Sequence, residues 1–364
     1  MADTLTLRAL NRATLARQLL LARERVPVVD ALERIGGLQA QEARPAYAQL
    51  WARLDGFERD DLHAALQARE AVRGTLMRAT LHVTSAADYA ALRPALQPML
   101  DGAMAGVLRQ RGPVDVEQVV PEARKLLRKR ASTFNDLRAA LAERFPDFEV
   151  RAIGYAVRMQ LPLLMVPTED RWSFPADAEF TLAEPWLGRK RLPKADREAL
   201  VRRHLGAFGP ASAADVQAWS GLGGLQEVLD GMADELVAFT HGRRTLYDLP
   251  DAPRPDEDAA APARLLPEFD SLLLAHKDRT RVIDDDRRKA LATKNLRVQA
   301  TFLVDGRVEG SWAIERKRGT ATLTLASFGA LNKAVKDELA AEAEGMLAFL
   351  GEDADKARVA FAQR

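Results

Sequence analysis

The sequence predicts a mixed α+β protein, mostly helical, built from tandem winged helix-turn-helix motifs with a β-meander or barrel-like element near its C-terminal end. Two observations predict this fold class. Three helices followed by a two-stranded hairpin occur twice in the middle of the chain. Three β-rich runs separated by short turn sequences follow in the last quarter, and this pattern is typical of a meander.

The first region, residues 1–110, is predicted to be a larger and more decorated winged helix. Apolar spacing predicts helices at 8–24, 28–35, 45–54 and 60–67. Gly36 and Gly37 are expected to end the second helix. The run 75–84 is predicted to be one strand, and Ser85 with Asp88 forms a capping-box pattern that opens the next helix.

The second and third regions, 111–182 and 183–250, repeat one order of elements without repeating their letters. In the second region we predict helices at 116–129, 133–145 and 150–160 and a hairpin made of 161–166 and 171–174. In the third region we predict helices at 194–205, 212–219 and 224–232 and a hairpin made of 236–240 and 245–249.

The last region, 264–364, follows a segment rich in Pro, Ala and acidic residues, 249–263, which is predicted to be a linker. Three strands are predicted within 296–328, with turns at 305–306 and 317–319, and a closing helix at 332–350. We expect this region to pack against the helices and not to form an independent module.

Composition excludes several classes of protein. The chain has 364 residues, 47% of them hydrophobic, no cysteine and a formal net charge of +1. Such a length should divide into roughly two or three domains. The absence of cysteine excludes disulfides, thiolate nucleophiles and Cys-ligated metals. No secretory signal or membrane span is apparent, because charged residues such as Arg8 and Arg12 interrupt the N-terminal apolar run, so we expect a soluble, cytoplasmic protein.

The near-neutral net charge hides local excesses of both signs. Basic residues exceed acidic ones by seven to four in 101–130, by seven to two in 186–205 and by eight to four in 276–297. Acidic residues dominate in 231–262, by seven to three. Nucleic-acid binding would therefore have to rest on charge gathered on one face. The same excesses would also arise on ordinary solvated helix faces.

Common enzyme motifs are missing. The sequence contains no dinucleotide-binding glycine motif, P-loop, nucleophile elbow or H-E-x-x-H, and its five histidines are far apart in sequence. No metal and no cofactor are therefore expected.

Four segments, 35–54, 73–89, 265–282 and 304–312, together resemble the AlkZ-like (YcaQ-like) bacterial DNA glycosylases, a winged-helix family. The resemblance covers about residues 5–331 in the right order. It implies a C-shaped array of three winged helices that cradles double-stranded DNA, in a bacterial enzyme associated with the nucleoid. It also implies hydrolysis of the N-glycosidic bond of N7-alkylated purines, including those in interstrand crosslinks. The family's Q-x-Q catalytic motif falls on Gln39 and Gln41.

The chemistry of this pair can be considered on its own terms. In an extended backbone Gln39 and Gln41 point to the same side, while Leu38 and Ala40 face the interior. A neutral amide is a poor general base. An N7-alkylated guanine already carries a positive charge, so it can leave without being protonated. Amide oxygens then need only hold a water near the anomeric carbon and stabilise the developing oxocarbenium ion. Some relatives carry Q-x-D, but the second position here is glutamine, which excludes a carboxylate base there.

Other residues are predicted to contact DNA. Arg78 and His82 share one face of the predicted strand with Thr80, and the alternation of residues predicts a half-exposed strand that faces a charged ligand. Basic clusters and the third hairpin supply further candidates for phosphate contact, with a solvated surface as the alternative: Arg128, Lys129, Arg130, Arg189, Lys190, Arg191, Arg243 and Arg244. Within 265–282, five charged residues would either contact phosphate or hold the β-rich region on the helices, and the acids favour the structural role: Asp270, His276, Lys277, Asp278 and Arg279.

We therefore predict a monofunctional, cofactor-free DNA glycosylase that acts as a monomer on alkylated duplex DNA. The main alternative is a winged-helix transcriptional regulator without catalysis, which would usually be a dimer. A protein-interaction scaffold built from the same modules is the third reading.

Overall fold

The computed structural model describes residues 3–291, 299–351 and 354–363. Helix exceeds strand in these ranges, so the protein is a mixed, mainly helical α+β structure, as predicted. Up to residue 111 the elements are β1 (Asp3–Thr4), α1 (Leu7–Arg17), α2 (Val28–Arg34), β2 (Leu38–Gln39), α3 (Arg44–Trp51), α4 (Arg59–Gln67), β3 (Ala71–Thr75), β4 (Leu81–Ser85), α5 (Ala86–Ala95) and α6 (Gln97–Arg111).

The prediction of one strand at 75–84 is wrong, because this run contains a reversal of the chain. β3 and β4 form an antiparallel hairpin, joined by a turn at Met77–Ala79. Arg78 and Ala79 both adopt positive φ angles, 54° and 58°. Such a turn normally carries glycine or asparagine, and this one has neither, so the sequence gave no signal for it.

Residues with positive φ angles follow the C-terminal ends of α1 and α2. α1 ends at Arg17 and not near residue 24, because the chain turns at Leu19, whose φ is 56°. Leu19 and Leu20 then enter two different hydrophobic clusters. Gly37 follows α2 at a φ of 80°, and a Cβ there would lie 2.6 Å from the Thr84 methyl group, so a larger residue would push β4 away.

The predicted order of three helices and a hairpin occurs in both middle regions. The elements are α7 (Val116–Lys129), β5 (Ser132–Thr133), α8 (Phe134–Arg144), α9 (Val150–Gln160), β6 (Leu163–Met165), β7 (Glu179–Leu182), α10 (Ala183–Trp186), α11 (Arg197–Phe208), α12 (Ala213–Ser220), α13 (Leu225–Gly231), β8 (Val237–His241) and β9 (Arg244–Asp248). The predicted N-caps are confirmed: Thr133 accepts from the Asp136 amide at 3.1 Å, and Ser212 forms a reciprocal capping box with Asp215.

In the hairpin of the region 111–182, the second strand is not the predicted one. β6 pairs with β7, and residues 171–174 form no strand. These residues are held elsewhere by tertiary contacts: the Trp172 ring packs edge-on against Tyr47 at 5.2 Å, and Ser173 Oγ hydrogen-bonds both the Tyr47 hydroxyl and His63 Nδ1. The segment therefore packs against α3 and α4.

One sheet connects the first two predicted regions. Its described strands follow the order β2-β4-β3-β6-β7-β5. Gly74 of β3 lies opposite Leu164 of β6, and a Cβ at this glycine would lie 2.5 Å from the Tyr89 ring. This close approach fixes the β3–β4 hairpin against the second region. In the third region β1 adds a parallel strand to the β8–β9 hairpin.

The C-terminal region contains β10 (Arg264–Leu266), α14 (Asp285–Leu291), β11 (Thr301–Val304), β12 (Arg307–Lys317), β13 (Thr320–Ser327), α15 (Lys333–Leu350) and β14 (Lys356–Gln363). Both predicted meander turns are present, with positive φ at 305–306 and 318–319. The closing helix is confirmed as α15, capped by Asn332. Residues 296–298, where the predicted β-rich segment and its first strand begin, lie outside the described residues.

The predicted barrel-like closure is wrong. The described strands form an open sheet in the order β10-β11-β12-β13-β14, with β10 and β14 at its edges. β14 runs parallel to β13 and is reached through α15, which buries Leu339, Ala343 and Met346 in the cluster that covers the sheet. This region is therefore an open sheet with a helical layer on one face.

The sheet packs on the N-terminal helices. Leu15 and Leu20 share a hydrophobic cluster with Leu266 of β10. Arg53 and Asp270, both at most 1% exposed at their side chains, form a bidentate ion pair at 2.8 and 2.9 Å. Within the described ranges no helix has the length and apolar character needed to cross a bilayer.

Candidate active site

The segment that carries Gln39 and Gln41 is a short edge strand. Gly36 and Gly37 end α2, and β2 then pairs antiparallel with β4, which places Gln39 opposite His82. The Ala40 amide also donates to the Leu81 carbonyl at 2.8 Å. Leu38 and Ala40 are buried, at 1% and 0% exposure, as the extended-backbone prediction requires.

Both glutamine side chains point toward the β3–β4 turn. Gln39 is buried, and its Oε1 accepts from Arg78 Nη2 at 2.7 Å. Gln41 is exposed, and its Oε1 lies 3.4 Å from the Leu81 amide, a long contact. Because an arginine can only donate, the oxygen of the Gln39 amide must face Arg78. The Gln39 NH₂ group has no partner among the described residues and remains available to a ligand.

Arg78 joins this site to the third region. Its other terminal nitrogen, Nη1, donates to the Trp219 carbonyl at the end of α12. Burial, and after it the charge of Arg279, lowers the pKa of Arg78 to about 10, so the side chain is still charged at neutral pH. The prediction that Arg78 projects from a strand is wrong, because the residue is half-buried in the turn between β3 and β4.

Two side chains hold the backbone of the motif. Arg73 of β3 donates from Nε to the Ala40 carbonyl at 3.0 Å and from Nη2 to the Gln41 carbonyl at 3.1 Å. Gln49 of α3 donates to the Gln39 carbonyl at 3.1 Å. Sequence reasoning missed both residues. For Arg73, the only signal was that a charged residue stands between Val72 and Gly74, which are typical of a buried strand.

His82 is buried, and the prediction of a half-exposed strand histidine is wrong. Its side chain is 1% exposed, and Nδ1 contacts the Thr80 carbonyl at 3.1 Å. Burial, and then the charge of Arg78, lowers the pKa of His82 to about 3. The ring is therefore neutral near pH 7, and Nε2 is a buried nitrogen without a partner among the described residues.

The two basic clusters predicted to contact phosphate lie at the protein surface. Arg128 and Lys129 close α7, and Arg130 follows; Arg189, Lys190 and Arg191 lie in the loop between α10 and α11. All six are exposed, and none forms an ion pair with a described residue. At the β8–β9 turn Arg243 is exposed, whereas Arg244 pairs with Asp278 at 2.7 Å.

The segment 265–282 is mainly structural. Asp270 pairs with Arg53, and His276 is buried with its Nε2 3.0 Å from the Phe208 carbonyl. Lys277 is exposed and Arg279 half-buried, and both line a cleft of about 710 Å³ next to α12. Within the described ranges, no group of three His, Asp or Glu residues is arranged to hold a metal ion.

The site thus contains two neutral amides flanked by the buried Arg73 and the half-buried Arg78, on a scaffold of helices and hairpins. Over residues 32–349 the sequence matches the family described as DNA glycosylase AlkZ-like. Because this match covers most of the chain, the protein belongs to the AlkZ-like DNA glycosylases and is an enzyme of DNA repair rather than a regulator or scaffold.

The fold agrees with this family. The Streptomyces sahachiroi DNA glycosylase AlkZ superposes with a TM-score of 0.82 over 98% of this chain and 100% of that chain, at 20% sequence identity. At this identity the likeness establishes a shared fold. A comparison with curated proteins found no match.

Proposed function

We propose that this DNA glycosylase hydrolyses the N-glycosidic bond of N7-alkylated purines in duplex DNA, including those in interstrand crosslinks, with Gln39 and Gln41 as catalytic residues. The observation that carries the proposal is the pairing of two amides on one side of β2 with no carboxylate hydrogen-bonded to either. The adjacent His82 is neutral, with a pKa of about 3. Such a site has no evident group to activate a neutral leaving group.

A cationic base does not need that activation. The glycosidic bond of an N7-alkylated guanine breaks toward a neutral base, and the positive charge moves to the sugar. The Gln39 NH₂ would donate a hydrogen bond to the attacking water, and the oxygen of the exposed Gln41 amide would accept from that water and face the developing oxocarbenium ion. Arg78 and Arg73 fix the amide and the backbone, so little reorganisation accompanies the reaction.

The binding surface would consist of three winged-helix units, 1–110, 111–182 and 183–250, arranged as a C-shaped cradle around the duplex, with 264–364 packed behind them. The exposed clusters 128–130 and 189–191, together with Arg243, would contact phosphates. A single chain supplies all three units, which supports action as a monomer. Action at the bacterial nucleoid would follow from the proposed DNA substrate.

Duplex affinity is expected to fall steeply with salt while sequence preference stays weak, because phosphate contacts release counterions and carry no base information. Replacing Arg189, Lys190 and Arg191 together by glutamine should lower the slope of log affinity against log salt by roughly two to three. Fluorescence anisotropy with labelled duplexes at several salt concentrations measures this. A strong preference for one palindrome with a small salt slope would contradict it.

The excision rate is expected to be nearly flat from about pH 6 to pH 8. His82 stays neutral across this range because burial keeps its pKa at about 3, and the leaving group is already cationic. Single-turnover rates on a duplex with one N7-methylguanine, scored after alkaline cleavage of abasic sites, give the profile. A sigmoid rise that Glu42→Gln abolishes would identify the exposed Glu42 as a general base and overturn the amide mechanism.

The same assay tests the function itself. Strand breaks at the methylated guanine, and release of one arm of an N7-linked interstrand crosslink, are expected. No breaks above the enzyme-free control on either substrate would refute the proposed activity.

A further inference from the structure

A pocket of about 490 Å³ opens beside Gln41. It lies between the β3–β4 hairpin, α8, α9 and the segment that leads into β7. Arg73 and Arg158 line it, together with the aromatic rings of Phe134, Phe174 and Phe180. The pocket is therefore continuous with the catalytic motif and carries two positive charges.

These two cations form hydrogen bonds but no ion pair with a described residue, although the charge of Glu42 acts on Arg73 from the pocket rim. The hydrogen bonds of Arg73 go to the Ala40 and Gln41 carbonyls. Arg158 donates from Nε to Thr75 Oγ1 at 3.1 Å, and its terminal nitrogens have no partner among the described residues. Neither forms an ion pair with a described carboxylate. Burial, and after it the charge of Arg158, lowers the pKa of Arg73 to about 10. Buried charges are normally paired, so this arrangement is one that an anion would stabilise.

We propose that the pocket binds a backbone phosphate of the DNA strand that carries the damaged nucleotide, with Arg158 as the main donor. The inference rests on the proposed function, which places the damaged sugar at Gln41. Phosphates flank each sugar on both sides, so the two guanidinium groups of this pocket, next to the catalytic amide, are within reach of one of them. Guanidinium nitrogens donate to phosphate oxygens in paired geometry.

The bound phosphate would also reduce the repulsion between the two arginines and the positive charge that develops on the sugar. Arg73 and Arg158 lie near the place where positive charge develops on the sugar, and two unpaired cations there oppose that charge. A phosphate neutralises them at the moment when the substrate arrives. Arg158 is thus a positioning residue that acts through the DNA backbone.

The acidic residues at the pocket rim should favour binding of a DNA phosphate over binding of free inorganic phosphate. Glu42 and Asp177 line the same pocket and are both exposed. Their charge weakens the attraction for a free anion, whereas a DNA phosphate is delivered by the other contacts of the duplex. We therefore expect inorganic phosphate at millimolar concentration to leave the pocket empty.

Methylphosphonate substitution tests this directly. Duplexes carrying a tetrahydrofuran abasic analogue are made with one flanking phosphate at a time replaced by an uncharged methylphosphonate, and wild-type affinity is measured. Loss of one charged hydrogen-bonding partner should weaken binding by roughly tenfold to a hundredfold at one flanking position. In Arg158→Gln the methylphosphonate at that position should cause no additional loss of affinity. In Arg151→Gln, which removes an exposed arginine of the same helix, the methylphosphonate should weaken binding as much as in the wild type.

The proposal is overturned if no flanking position is sensitive in the wild type, or if Arg158→Gln shows the full wild-type sensitivity. Titration with inorganic phosphate that displaces the duplex from the wild type but not from Arg158→Gln would identify a free-anion site and also overturn it. Binding is read without excision. A protein that passes this test and releases no N7-methylguanine would refute the proposed function and leave the phosphate site standing.

Discussion

Gln39→Ala and Gln41→Ala are each expected to slow N7-methylguanine excision by roughly tenfold to several hundredfold. Each change removes one amide that holds the water or faces the oxocarbenium ion, and the loss of a positioned hydrogen bond of this kind should raise the barrier by about 1.4 to 3.5 kcal/mol. Gln39→Ala also deprives Arg78 Nη2 of its acceptor, while the bond from Nη1 to the Trp219 carbonyl remains. Single-turnover rates on the methylated duplex measure the effect.

The double variant distinguishes one shared water from two separate roles. If both amides hold the same water, the double variant should be little slower than the slower single variant, because the second loss removes a partner already useless. Duplex affinity and its salt slope should survive, since no charge changes. Gln110→Ala, an exposed glutamine of α6, is the matched control and should react at the wild-type rate.

Gln41→Asp restores the family's alternative Q-x-D pattern. It should retain activity and acquire a pH dependence that the wild type lacks, because a carboxylate near the water can act as a base. If all three single variants remain folded and excise at the wild-type rate, Gln39 and Gln41 are structural.

Asp270→Asn is expected to destabilise the protein by about 3–5 kcal/mol, because it leaves the buried guanidinium of Arg53 without its counter-charge. The effect is expected to extend to the proposed catalytic motif, because Arg53 also donates to the Gln49 carbonyl and Gln49 donates to the Gln39 carbonyl. Urea unfolding followed by circular dichroism measures the loss. Excision at a temperature where the variant is folded reports any displacement of the motif.

Glu24→Gln is the matched control, because it breaks the exposed pair between Glu24 and Arg34 by the same chemical change. Exposed pairs contribute about 0–1 kcal/mol. Replacing both members of the buried pair, Arg53→Met with Asp270→Leu, should recover part of the lost stability. Equal destabilisation by Asp270→Asn and Glu24→Gln would show that the ion pair does not hold the β-sheet region on the helices.

Local signals were enough to predict most helices. The caps at Thr133, Ser212 and Asn332 mark helix starts through short-range hydrogen bonds that a few neighbouring residues encode. The hairpin turn at Arg78 and Ala79 could not be predicted, since its positive φ angles are imposed by tertiary contacts and not by glycine. The strand at β7 was missed for a related reason, because residues 171–174 pack against Tyr47 of α3.

Of the candidate site, only the strand that carries Gln39 and Gln41 could be predicted from the sequence. The spacing of Gln39 and Gln41 and the burial of Leu38 and Ala40 follow from strand geometry. The groups that hold them come from positions distant in sequence, and no spacing rule connects Arg73 or Arg158 with the motif. His82 was wrongly expected to be half-exposed, because β4 is buried on both faces and the alternation of residue types predicts only one buried face.

Leaving-group selectivity tests the central claim most directly. Matched duplexes carry N7-methylguanine, hypoxanthine or uracil at one position, and single-turnover excision is measured for each with the same protein. Two neutral amides without a base or acid should release the cationic N7-methylguanine and leave the neutral hypoxanthine and uracil in place over the same time. Excision of hypoxanthine or uracil at a rate comparable to that of N7-methylguanine would contradict the account, because it would require an activating group that Gln39 and Gln41 do not supply.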